Sequence, residues 1–147
     1  MKKLFLAGIV ALAMGFAFIS CNQSKSDAPV DIKTDGTAVE VLTDIVAKAK
    51  ADGANWSIEQ WKYVYKQAAI AVKPIMVQIA ELSESMTEEN ALEKLADIEK
   101  FQAEYEPIEK LMDEFTELAK ATENGKAVDE DKDFEKQLTE ELGLPDL

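Results

Sequence analysis

From Trp61 to Met86, nine apolar residues (Trp61, Val64, Tyr65, Ala68, Val72, Ile75, Ile79, Leu82 and Met86) follow one another in steps of three and four, apart from the adjacent pair Val64 and Tyr65. That spacing places them on one face of an α-helix, whereas a strand would repeat every two residues. Pro74 falls inside the run. A proline removes one rung of the helical hydrogen-bond ladder while the apolar face continues, so the pattern predicts one kinked helix over 58–84. Its start is marked by Ser57-Ile58-Glu59-Gln60, a capping box in which the serine oxygen and the glutamine side chain satisfy each other's backbone N–H groups. Trp56 and Trp61 flank that box, where a hydrophobic staple belongs. Trp56 lies outside the helix and is expected to stay partly exposed.

The same punctuation organises the rest of the chain. Thr37-Ala38-Val39-Glu40 is another capping box, followed by Val41, Leu42, Ile45 and Ala49 at helical spacing and by Asp52-Gly53 as a left-handed stop, which predicts a helix over 38–51. A third helix is expected from Thr87, with Leu92, Leu95, Ile98, Tyr105, Ile108, Met112, Phe115 and Leu118 inward, a kink at Pro107 and a stop at Asn124-Gly125. A short last helix over 130–142 carries Phe134, Leu138 and Leu142 and ends at Gly143. No strand or hairpin signal interrupts this series. The expected fold is all-α, a small antiparallel bundle of three to four helices with proline-kinked long helices, antiparallel because the connections are short.

Composition narrows the chemistry. The 147 residues contain no histidine, no arginine and one cysteine. Histidine-dependent triads and histidine-ligated metals are excluded, as are an internal disulfide and any CxxC site. The formal net charge of −13 has the wrong sign for a nucleic-acid binder, which gains affinity by displacing counterions with basic patches. No cofactor is expected, and no catalytic residue is assigned.

Met1-Lys2-Lys3 is a short basic start, Leu4 to Ile19 is a run of sixteen uncharged, mostly apolar residues, and Ser20-Cys21 closes it. The run is shorter than the roughly 20 residues of a membrane-spanning helix. With Phe18-Ile19-Ser20-Cys21 standing at the lipobox, and an aromatic where leucine is usual, residues 1–21 resemble a bacterial lipoprotein signal peptide. The resemblance implies removal of residues 1–20 and attachment of lipid to the Cys21 thiol, leaving 14 lysines against 29 carboxylates, a mature charge of −15. It also implies a place in the cell envelope, held to a membrane by lipid. Asn22 stands where an aspartate would favour inner-membrane retention, so the outer membrane is favoured. Residues 22–36, polar and poor in apolar side chains, read as a tether with a span of roughly 20 Å and an extended limit of about 50 Å. The helical domain is expected over 37–147.

Two clusters are candidates for a partner or ligand surface. Glu109, Asp113 and Glu117 lie four apart, as do Glu89, Glu93 and Asp97, so each trio forms a column of like charge. A docking strip for a basic partner or for divalent cations is one reading, and the solvated face of an acidic exported protein is the favoured one. Trp56, Trp61, Tyr63 and Tyr65 form the densest aromatic cluster. Core packing is expected of it, with sugar stacking by Trp56 and Tyr63 as the alternative. Asp129, Asp131, Asp133 and Glu140 occupy positions 1, 3, 5 and 12 of a calcium-loop pattern, but Phe134 stands where the sharp turn needs glycine, and no metal site is expected.

The expected function is therefore that of a lipid-anchored, non-catalytic helical module that binds a protein or envelope partner. The alternative is a lipoprotein that binds a small ligand or a divalent cation. An apolar groove beside Pro74 or Pro107 would favour a ligand, and an exposed apolar patch of more than about 600 Å² a protein.

Overall fold

The computed structural model of the protein describes residues 29–85, 87 and 95–145. Among these residues there are five α-helices: α1 (Ala38–Asp52), α2 (Ile58–Ser85), α3 (Leu95–Lys120), α4 (Glu123–Asp129) and α5 (Lys132–Leu142). A 3-10 turn, Gly53–Asn55, joins α1 to α2, and no described residue lies in a strand. The chain is an all-α helical bundle, with one helix more than the three to four expected. Both long helices continue through their prolines, Pro74 in α2 and Pro107 in α3.

Both capping boxes form. The Thr37 hydroxyl accepts from the Glu40 N–H at 3.2 Å, and the Glu40 carboxylate accepts from the Thr37 N–H at 2.9 Å. At α2 the Ser57 hydroxyl accepts from the Gln60 N–H at 3.2 Å, and the Gln60 side-chain oxygen accepts from the Ser57 N–H at 2.9 Å. The staple closes over this second box, with the Trp56 and Trp61 rings edge to face at 4.8 Å.

The first three helices run up, down and up. Trp61 and Tyr65, near the start of α2, pack on Phe115, near the end of α3, with ring centroids 5.9 and 4.8 Å apart. Farther along, Ile75 and Gln78 of α2 come together with Phe101 and Ile108 of α3, so these helices are antiparallel. Helix α1 runs with α3. Its first turn lies by Pro107, and Lys50 near its end pairs with Glu114 at 2.6 Å. The core is Val41, Leu42, Ile45, Val46 and Ala49 of α1 against Trp61, Val64 and Ala68 of α2, Ile108, Phe115 and Ala119 of α3, and Val128 of α4.

Four expectations are corrected by this arrangement. The segment 29–36 is not free tether. Ile32 is buried, Val30 packs on the core, the Lys33 N–H donates to Asp44 Oδ2 at 2.7 Å, and the Lys33 ammonium pairs with Glu40 at 3.3 Å. The folded part therefore begins ahead of Thr37. Gly53 is not a left-handed stop. With φ −54° it continues the chain into the 3-10 turn, and its hydrogen atom faces the Trp61 ring, where an added Cβ would sit 3.2 Å from Cζ2. Trp56 is not half exposed but 5% exposed. Asn124 of α4 holds it there by donating to its carbonyl oxygen at 2.8 Å.

The fourth correction concerns Asn124-Gly125, which does not end α3. That helix stops at Lys120, and Thr122, in extended conformation, caps a separate α4 by accepting from the Gly125 N–H at 3.0 Å. Gly125 is glycine because α4 folds back on the end of α3. A Cβ there would stand 2.5 Å from the Ala119 carbonyl oxygen and 2.9 Å from its Cα. Gly125→Ala is thus expected to destabilise the protein by about 1–3 kcal/mol, although alanine normally favours a helix over glycine by about 1 kcal/mol. Chemical denaturation reads the sign, and a stabilised variant would show that α4 can move away freely.

Helix α5 has no buried residue and docks through Phe134, half-buried against the core, and through charge. The Asp131 carboxylate caps it by accepting from the Phe134 N–H at 3.0 Å and pairs with Lys62 at 3.2 Å, and the Lys62 ammonium lies 5.2 Å over the Phe134 ring. Lys66 pairs with Glu141. The expected stop holds, since Gly143 is left-handed at φ 58°.

Candidate binding groove

Every buried residue of α2 (Trp61, Val64 and Ala68) precedes Pro74, and every buried residue described in α3 (Ile108, Phe115 and Ala119) follows Pro107. The two prolines thus mark the border between a packed end and a pair of helical arms, roughly Pro74–Ser85 and Leu95–Glu106. A proline leaves the carbonyl four residues earlier without its ladder partner. Here these are the carbonyls of Ile70 and Ala103, both exposed residues where water can take the place of the lost N–H.

The α2 arm is apolar without being buried. Residues 67–80 carry one charge, Lys73, yet Val72, Ile75, Met76, Val77 and Ile79 are only half-buried. A helix that is apolar on all sides ordinarily lies inside a core. Because α2 touches α3 only sparsely, a groove of about 430 Å³ opens between them beside Pro107. Ala38, Val39, Ile75, Phe101, Pro107 and Ile108 line it, with Thr37, Gln78 and Glu104 as its polar members. It continues into a shallower trough of about 560 Å³ that shares Gln78, Phe101 and Glu104 and adds Glu81, Leu82, Ser85 and Lys100. On the α2 side it runs from Ile75 to Ser85, about 15 Å at the helical rise. Phe101 and Tyr105 stack along α3 with centroids 5.9 Å apart.

The residues expected to form a partner surface are not gathered in this groove. Trp56 and Trp61 are core, and Tyr63 is half-buried against it. No flat aromatic platform results. Glu109, Asp113 and Glu117 do form the expected exposed column on α3, and Glu109 and Asp113, together with the larger effect of burial, push the Tyr105 phenol pKa up. Lys110 turns away from the column to pair with Glu106 at 2.6 Å. Of the second trio, Glu89 and Glu93 lie outside the described residues, as does the side chain of Asp97.

The carboxylates with calcium-loop spacing are taken up separately. Asp129 ends α4, Asp131 caps α5, and Asp133 and Glu140 lie within α5. Among the described residues no group of three or more potential ligands is arranged to hold a metal ion. Asp129 instead accepts from the Tyr65 hydroxyl at 3.0 Å, with Lys120 at 3.9 Å from its other oxygen. Burial is the main cause that drives the Tyr65 phenol pKa far above its ordinary value, followed by the Asp129 charge and the hydrogen bond. A raised phenol pKa means that the fold holds the proton more tightly than the unfolded chain does. Its stabilisation is complete below pH about 10 and is lost as pH rises beyond, by up to about 1.4 kcal/mol per pH unit. Tyr65→Phe is expected to cost about 0.5–1.5 kcal/mol at neutral pH and to flatten that alkaline decline. Denaturation midpoints of both proteins between pH 8 and about 11 measure it, and equal slopes would contradict the assignment.

Comparison with protein families, with characterised proteins and with solved structures finds no match. The groove was not legible from motifs. Its signal in the sequence is the stretch 67–80, which is too apolar for a helix with one buried face. Among the described residues, no helix is long and apolar enough to cross a membrane.

Proposed function

We propose that this chain is a lipid-anchored, non-catalytic module of the bacterial cell envelope that binds a partner in the groove between α2 and α3. The anchor is Cys21, at the end of the basic and apolar leader. The absence of histidine and the single cysteine support a binding role over catalysis. Binding rests on one observation: an apolar trough beside Pro107 in a helix pair that no described residue covers. Residues 22–28 are all that separates Cys21 from the described domain, and seven residues reach at most about 25 Å. That reach bounds the distance between the anchor and the start of the described domain at Pro29, and Asn22, where an aspartate would favour the inner membrane, supports the outer one.

A second reading is favoured by the narrower half of the trough, whose 430 Å³ suits a small ligand, since such sites measure about 300–1,000 Å³. Small-ligand sites also enclose most of their guest, and this trough is open along its length, which favours a macromolecular partner. A photoreactive residue at Gln78 tests the reading in native membranes. It is expected to give a discrete protein adduct, and the same group at Glu117 is expected to give none. No adduct at Gln78 would remove the binding role, and identical adducts at both positions would move it off the groove.

A further inference from the structure

We propose that the occupant of the groove is an amphipathic helix with a basic polar face, presented by a partner protein. This deepens the binding role argued above and rests on it. Three observations converge. The half beside Pro107 is lined mainly by apolar side chains, among them Ile75, Phe101 and Ile108, and Leu82 and Phe101 carry an apolar strip on into the more polar outer trough. The trough is elongated, about three helical turns along α2, which is the length over which an amphipathic helix places anchors at i, i+3, i+4 and i+7. The charge around it is mainly negative. Two carboxylates, Glu81 and Glu104, and one lysine, Lys100, line the outer trough, and Glu84, Glu99 and Glu106 are further exposed carboxylates on the two arms. Glu81 and Glu104 stand on opposite sides of the trough, one from each arm, and both are exposed.

An apolar strip between acidic edges is complementary to a helix whose leucine-like face is bordered by lysines or arginines. The edges attract and orient such a helix, and the strip supplies burial. An acidic helix would meet like charge on both sides. A neutral acyl chain would use the strip and ignore the edges. These differences make the occupant testable.

The full chain, held by its own anchor in zwitterionic lipid nanodiscs, is titrated at physiological salt with a fluorescent lysine–leucine peptide of about 18 residues with leucines on one face, empty discs serving as the blank. Saturable binding is expected. Glu81→Lys with Glu104→Lys should weaken it at least about tenfold, and so should Gln78→Trp, which fills the trough from an exposed position. Asp113→Lys with Glu117→Lys changes the net charge equally on the acidic column and should leave affinity within about threefold. All these positions are exposed, and circular dichroism checks that each variant is folded. Equal loss from both charge-reversal pairs would overturn the proposal in favour of diffuse attraction, and loss from the column pair alone would place the site there. Equal binding of a glutamate–leucine peptide would also overturn it, because the edges would then be silent. If no cationic peptide binds while Gln78 still forms its protein adduct in native membranes, the basic helix is wrong and the binding groove stands. If the adduct is absent too, both fall.

Discussion

Trp61→Ala is expected to cost about 3–5 kcal/mol, a large share of the total stability of a domain this size. Trp61 is fully buried, with Trp56, Phe115 and Tyr65 around it at centroid distances of 4.8, 5.9 and 6.4 Å. Gly53 closes on it from the end of α1. Three rigid rings and a backbone cannot collapse into the space an indole leaves, which sets the cost near the top of its range. The Trp61 Nε1–H has no hydrogen-bond partner among the described residues, so truncation removes packing and no hydrogen bond. Trp61→Phe should therefore cost less than half as much, because it leaves out a buried donor that itself costs about 1–3 kcal/mol unpaired. Ser57→Ala, which removes one cap, should cost about 1 kcal/mol. Chemical denaturation of the chain starting at Asn22 gives the three values, and a Trp61→Ala loss under about 1 kcal/mol would mean that this aromatic cluster is not the core.

What the sequence disclosed and what it concealed divide along physical lines. Helix starts were legible at Thr37 and Ser57 because a capping box is closed by residues three apart, with no tertiary partner needed. The stripe through Pro74 was legible because periodicity survives the loss of one ladder bond. The end of α3 was misread because Asn124-Gly125 carries the chemistry of a stop, while Thr122, two residues earlier than Asn124, caps a new helix. Gly125 answers to the Ala119 backbone, a demand that appears only once α4 has folded back. Likewise Val30 and Ile32 are two isolated apolar residues in a polar segment, and only packing on the helical core gives them somewhere to go. The groove arises from how far two helices stand apart, a quantity no local pattern encodes. Glu81 and Glu104 are 23 residues apart in sequence and line one trough only because two helices face each other across it.

The second large effect concerns location. Cys21→Ala is expected to abolish lipid attachment and move the protein from the membrane fraction to the soluble one. One acyl chain alone gives marginal binding and two give stable anchoring, so loss of the anchored form should be nearly complete. Among the described residues no helix is long and apolar enough to cross a membrane, and a chain cleaved before Cys21 would carry a charge of −15, which repels anionic surfaces. Fractionation with and without salt separates this from electrostatic attachment. Persistence of the variant in salt-washed membranes would mean that some other contact holds it.

Intact-mass spectrometry of the protein isolated from its native membranes tests the anchor, and with it the placement of the whole molecule, most directly. The account predicts a chain that begins at Cys21 and carries a lipid adduct on that residue. A free Cys21 thiol, or a mature start at any other residue, would contradict it.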